Sequence, residues 1–292
     1  MKFIWGCSPR GLYNMGVFLG KAKGIFNVAG TELTIFENLT GADYTKELIA
    51  GRFDMGTCGT PPLMAALERT DEYAVIGTAN SNSPPFYLMT PGSIQEIKAL
   101  EGKVIAINQF RTCLHSVIQQ VLTDAGVSLA NVKFVPLVTP VKYIDAIVNN
   151  EIHAAVLWEP WVSYAERVLN WHILVDCPKV IQPSNWAHMI YTRRSLLENH
   201  PDLVRSYLSA YQKSIEYAKN NIHELLSLNY QMDFVTDEDL EKAIKREVPL
   251  WNTNPAFDNV IATTAEKDLK KQKVISASFS FQQFVASAHP RL

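Results

Sequence analysis

The chain has 292 residues, 27 Lys+Arg against 29 Asp+Glu, 47% apolar and 19% charged residues. That balance excludes intrinsic disorder, and a formal charge of −2 excludes the broad electrostatic attraction on which nucleic-acid binding depends. No apolar run approaches the roughly 20 residues of a membrane span, so no membrane insertion is expected.

The N-terminus, Met1-Lys2-Phe3-Ile4-Trp5-Gly6-Cys7-Ser8-Pro9, lacks the apolar stretch of about 7–15 residues that a secretory signal carries. As written the chain is expected in the cytoplasm, or in the periplasm if a leader was removed. Cys7, Cys58, Cys113 and Cys177 are far apart, with no CxxC pair, so reduced thiols and no metal site are expected.

In chain order, residues 2–6 read as a buried strand, 12–23 as an amphipathic helix and 32–36 as an alternating strand. Residues 44–50 read as a helix stopped by Gly51, 53–57 as a strand and 63–68 as a further helix. The pattern returns about 100 residues later. Strand 103–107, helix 114–123, strand 132–135, helix 143–150 and strand 152–157 echo the first set. The expected fold is therefore α/β, with two similar lobes joined by two crossing strands, 86–90 and 185–192. Residues 1–83 and 193–292 are assigned to lobe one and 84–192 to lobe two. After the second crossing, 201–220 reads as one long amphipathic helix, and the helices at 222–228, 237–246 and 265–271 are expected to pack with it on lobe one.

Ligands of open α/β sheets bind beyond the carboxyl ends of the strands, which selects a set of loops that should face a cleft between the lobes. Arg10 and Arg111 occupy equivalent places, each past the first strand of its lobe and just before a helix. A helix start offers free N–H groups and an arginine adds bidentate donors, a combination suited to carboxylate, sulfonate or phosphate. Thr40, Gly41, Gly59, Thr60 and Thr112 would add donors at other helix starts, with N-capping as the alternative reading. Tyr13, Asn80, Asn82 and Gln109 fall in the same loops, and Trp158 and Trp186 would wall the apolar part of a ligand. Cys7 and Cys58 also lie there. Cys7, before a helix and near Arg10, is a candidate nucleophile, and His115 a candidate acid or base; small cysteines filling space at strand ends are the alternative. There is no GxGxxG, Walker A, GxSxG or HExxH motif, and no cofactor is expected.

Several segments resemble the type II periplasmic substrate-binding fold, and within it the NMT1/THI5-like group of sulfonate, taurine and pyrimidine-precursor binding proteins. They are Gly20-Lys21-Ala22-Lys23-Gly24-Ile25-Phe26, residues 48–56 with their G-x-F-D-x-G run, residues 100–106, residues 149–158 with His153 in place of the usual Asp, and residues 199–204. The resemblance implies mixed sheets, lobes that close over a small molecule by hinge motion, and delivery to an ABC permease if the chain is exported. It also implies a rival reading, since a minority of relatives are enzymes. In a biphenyl sulfinate desulfinase the nucleophilic cysteine follows the first strand, the place of Cys7, but the Arg-Phe-Gly-Gly run of that enzyme reads Met55-Gly56-Thr57-Cys58 here. The cysteine cluster of the thiamin-pathway pyrimidine synthase is absent. The expected function is a module that binds a small anionic organic ligand, sulfonate-like or heterocyclic, and the alternative is a cytoplasmic enzyme using Cys7.

Overall fold

The structure, a computed structural model, describes residues 1–7, 11–37, 41–79, 85–181, 188–228, 234–257 and 259–286. The chain divides into two compact units, residues 1–82, 185–230 and 248–292 in the first and residues 83–184 and 231–247 in the second.

The first unit opens with β1 (Lys2–Cys7), α1 (Met15–Ala22), β2 (Glu32–Glu37), α2 (Gly41–Ile49), β3 (Met55–Gly59), α3 (Thr60–Leu67) and β4 (Tyr73–Ala79). The second holds β5 (Phe86–Pro91), β6 (Val104–Ile107), α4 (Cys113–Asp124), β7 (Lys133–Pro136), α5 (Pro140–Val148), β8 (Ala154–Trp158), α6 (Trp161–Val168), β9 (Trp171–Asp176) and α7 (Cys177–Val180). The chain then returns to the first unit as β10 (His188–Arg193), α8 (Arg194–Asn199), α9 (Pro201–Asn220) and α10 (Ile222–Leu226). It revisits the second as α11 (Asp237–Glu247) and ends in the first with α12 (Asn259–Lys271).

The two sheets have one topology. Their orders are β2-β1-β3-β10-β4 and β7-β6-β8-β5-β9. β1 is parallel to β2 and β3, and β6 to β7 and β8, while β10 and β5 each insert antiparallel to both neighbours. The duplication extends to single hydrogen bonds. Asp54, just before β3, donates its N–H to Ile4 O (2.9 Å) and accepts the Ile4 N–H on its carboxylate (2.8 Å). His153, just before β8, donates to Val104 O (2.9 Å) and accepts the Val104 N–H on Nδ1 (3.3 Å). The histidine in place of aspartate is a substitution of acceptor, not of geometry.

Alternation along β1 sorts its side chains. Phe3 stacks on Tyr207 of α9 (3.6 Å between centroids) and Trp5 on Tyr211 (5.6 Å). Each such ring buries roughly 150–250 Å². On the opposite face Gly6 pairs with Gly56, and a Cβ at Gly6 would lie 2.6 Å from the Tyr191 hydroxyl and 2.7 Å from that of Tyr44. The glycine pair thus admits two buried hydroxyls. Tyr44 donates to Thr57 O (3.1 Å) and shares a second bond with Tyr191. In the second unit the equivalent pair is Ala106 and Ala155, Met89 faces Ala155 where Tyr191 faces Gly56, and the buried Tyr143 hydroxyl has no hydrogen-bond partner among the described residues.

Three expectations need correction. β10 belongs to the first sheet, pairing with β3 and β4, so residues 188–192 do not belong with the second unit. The first expected crossing strand, 86–90, is β5 inside the second sheet; residues 185–187 of the other lie outside the described residues, and β4 and β9 are additional strands. Finally, α11 does not pack with the rest of the C-terminal segment but docks on α6. Arg167 forks onto Asp239 (2.8 and 2.6 Å), and Arg246 bonds Glu159 and both oxygens of Glu166 (3.1 and 3.0 Å). Asp239 also closes a capping box with Thr236: its carboxylate accepts the Thr236 N–H (3.0 Å) and its own N–H reaches Thr236 Oγ1 (3.3 Å). The remaining C-terminal helices, α9, α10 and α12, stay with the first unit.

Candidate functional site

The carboxyl edge of the first sheet gathers part of the expected set. Cys7 ends β1, Cys58 and Gly59 end β3, Thr60 opens α3 and Gly41 opens α2. Tyr13 lies in a 3-10 turn, Leu12–Asn14, and folds back over Gly11, where a Cβ would sit 2.3 Å from the ring. Its ring stacks on His188 at 4.5 Å and 27°. His188 begins β10, opposite Gly59 on one side and Ala79 on the other. Tyr13, Gly59 and His188 are thus brought together. Arg10, Thr40, Asn80, Asn82 and Trp186 lie outside the described residues.

Cys7 is not set up as a nucleophile. The residue is fully buried, and that burial, with Glu37 nearby, pushes its thiol far above the usual range, the Trp5 indole N–H pulling weakly the other way. A buried thiol that stays protonated is a poor nucleophile, which weighs against the expectation of an activated thiolate. All four cysteines are buried free thiols. At α3, Pro61 and Pro62 occupy the first turn and bring no N–H, so Gly59 and Thr60 offer a poorer donor set than the sequence pattern suggests. Among the described residues no three His, Cys, Asp or Glu side chains cluster as metal ligands.

In the second unit the loop after β6 is built around Thr112. This residue caps α4, accepting the His115 N–H on Oγ1 (3.4 Å), and its own proton reaches Asn108 Oδ1 (2.8 Å) and Gln109 O (2.9 Å). Asn108 Oδ1 also accepts the Gln109 N–H (2.8 Å). The cap spacing forces Arg111 into the left-handed region, φ 62°, and its N–H donates to His115 Nδ1 (3.3 Å). His115 lies edge-on to Phe110 and Phe134, each at 5.2 Å, and burial lowers its pKa to about 4. It is therefore a neutral ring whose Nδ1 holds the turn. Thr112 and His115 position Arg111, whose exposed guanidinium forms no ion pair with a described residue.

Trp158 ends β8 half-buried, opposite Phe86. Behind it Glu159 is fully buried and receives the Ser163 N–H (3.2 Å), the Ser163 hydroxyl (2.9 Å) and Arg246. Trp161 belongs to the core. Sequence reasoning missed two features. His188 looked isolated because Tyr13 and Gly59 are distant in the chain. Phe110 and Val138, on the loops after β6 and β7, and Val141, in the first turn of α5, are exposed, although such apolar side chains read as interior.

Comparison with known proteins agrees with this architecture. The chain is 25% identical over 272 residues to a Bacillus subtilis (strain 168) protein provisionally described as an aliphatic sulfonates-binding protein, covering 91% of this chain and 77% of that one. The alkanesulfonate-binding protein SsuA of Xanthomonas axonopodis pv. citri, solved bound to MOPS, superposes with a TM-score of 0.82 at 15% identity, covering 98% of each chain. A shorter match, 30% identical over 105 residues, covers 35% of this chain and 29% of the pyrimidine phosphate synthase THI5 of Saccharomyces cerevisiae. The NMT1/THI5-like family model matches residues 12–224, a span holding every strand but β1, the capped turn of Arg111 and the stacked pair of Tyr13 and His188. The chain belongs to the NMT1/THI5-like family.

Proposed function

We propose that the chain is a substrate-binding component that holds a small organic anion of the sulfonate class and passes it to an ABC permease. The observation that carries this reading is Arg111. Its exposed guanidinium stands at the capped start of a 12-residue helix, where the helix dipole and the arginine attract negative charge together. Phe110 on the same loop, Val138 on the next, Val141 at the start of α5, and Trp158 supply apolar surface at the same edge of the second sheet. A charged head with an apolar tail suits that pairing, and alkanesulfonates have it. The sulfonate-binding relatives support the class of ligand, and the family resemblance supports the permease. The remaining expected contacts, Cys7, Tyr13, Gly41, Cys58, Gly59, Thr60, Gln109 and Thr112, belong to this proposal as residues at the carboxyl ends of strands or in the segments that follow them. Arg10, Thr40, Asn80, Asn82 and Trp186 join them on sequence grounds alone.

The test is calorimetric titration of a linear alkanesulfonate series into wild type and Arg111→Ala. Removing the guanidinium should cost about 1–3 kcal/mol, on the order of 5- to 150-fold in Kd, with the loss similar across chain lengths. An unchanged Kd removes Arg111 from the site. Failure of the wild type to bind any member removes the sulfonate class.

A further inference from the structure

We infer that His188, with Tyr13 stacked on it, is the ligand-reading contact of the first unit, donating a ring N–H to an acceptor oxygen of the bound anion. This inference rests on the binding function proposed above. Three observations carry it. The first is place: because β10 runs antiparallel, its first residue lies at the carboxyl ends of β3 and β4, beside Gly59 and Ala79, the edge at which ligands of such sheets bind. The second is lack of a partner. His188 is only 6% exposed, yet its ring makes no hydrogen bond to a described residue and its one recorded contact is the face of Tyr13. With no acceptor among the described residues, a ring nitrogen is left to donate to an acceptor that a ligand supplies. The third is preorganisation. Tyr13 holds the ring plane, Gly11 allows Tyr13 to fold back, and burial lowers the imidazole pKa to about 4. The free protein therefore presents a neutral ring at pH 7, one nitrogen a donor and the other an acceptor. Such a ring can discriminate among anions by where their oxygens lie.

The experiment uses hexanesulfonate as probe, titrated into wild type, His188→Phe and His188→Gln, with the melting temperature of each unliganded protein measured alongside. Phenylalanine keeps a ring against Tyr13 and removes both nitrogens. It should weaken binding by about tenfold or more while the unliganded protein melts no lower than wild type. Glutamine restores a donor and should recover part of the affinity. Equal binding by wild type and His188→Phe overturns this inference and leaves the proposed function standing. A large drop in unliganded melting temperature for His188→Phe also overturns it, because the ring would then be structural. If wild type does not bind the probe, the sulfonate reading and this inference fall together.

Discussion

Removing the positive charge that faces Glu159 should destabilise the second unit severely, and through charge rather than packing. The carboxylate is fully buried and the Arg246 side chain is 21% exposed. Taking away one partner of a buried pair leaves an uncompensated charge, at a cost of about 3–5 kcal/mol. The lower end applies to Arg246→Met, because the Ser163 N–H and hydroxyl still reach Glu159 Oε2. A loss of about 3 kcal/mol corresponds to roughly 6–12 °C in the melting temperature of a unit this size, read by differential scanning calorimetry as a fall in one of two transitions. Adding Glu159→Gln should restore at least half of the loss, since an amide keeps an acceptor for Ser163 and carries no charge. The pH dependence has a definite sign. Burial already raises the folded-state pKa of Glu159 above the ordinary 4.5, with Arg246 the main opposing influence. A carboxyl with a raised folded pKa loses stability as pH climbs past its unfolded value, so the penalty of Arg246→Met should be greater near pH 8 than near pH 5. An equal penalty at both, or a double variant no more stable than Arg246→Met, refutes the reasoning.

The two equivalent tyrosines should respond oppositely to loss of their hydroxyls. Tyr44→Phe removes the bond to Thr57 and should cost about 1–2 kcal/mol, whereas Tyr143→Phe removes a buried hydroxyl that has no partner and should be neutral or stabilising by about 1 kcal/mol; denaturant midpoints that move together sink the comparison. Cys7 should resist iodoacetamide in the native protein and react once unfolded, as its burial and raised pKa require; rapid native labelling at Cys7 would revive the enzyme alternative. His115 and His188, both held near pKa 4, bind fewer protons folded than unfolded between about pH 4 and the usual 6.5. Thermal stability should therefore decline as pH falls through that window, and a flat profile in a variant lacking both rings would trace the decline to them.

Much of the fold was legible because its signals are local and repeated. Strand alternation, glycine stops and the return of strands and helices at a near-constant offset expose the duplication, and the rule for open α/β sheets then names the loops at their carboxyl ends. What escaped depends on partners remote in sequence. β10 is buried along its length, from His188 to Thr192, and a strand buried on both faces carries no mark of which sheet receives it. α11 reads Asp-Glu-Asp-Leu-Glu-Lys-Ala-Ile-Lys-Arg-Glu, a composition typical of a solvated helix, yet Asp239 and Arg246 are its anchors. Cys7 had the sequence context of an activated thiol, and only its burial beside Glu37 weighs against that reading. His188 was invisible for the same reason as β10.

The strand order of the first sheet bears on how the chain is made. β4 joins its sheet only through β10, and β10 leaves the ribosome after every strand of the second sheet. Until then the growing chain holds β2-β1-β3 with an open edge and β4 without a neighbour, and exposed edges of this kind recruit strands from other molecules. Two seals thus come late relative to what they close, β10 for the first sheet and α11 for the charge on Glu159. Nascent chains stalled before them would be clients for chaperones, and a circular permutant that starts at α7 would be born with the first seal already made.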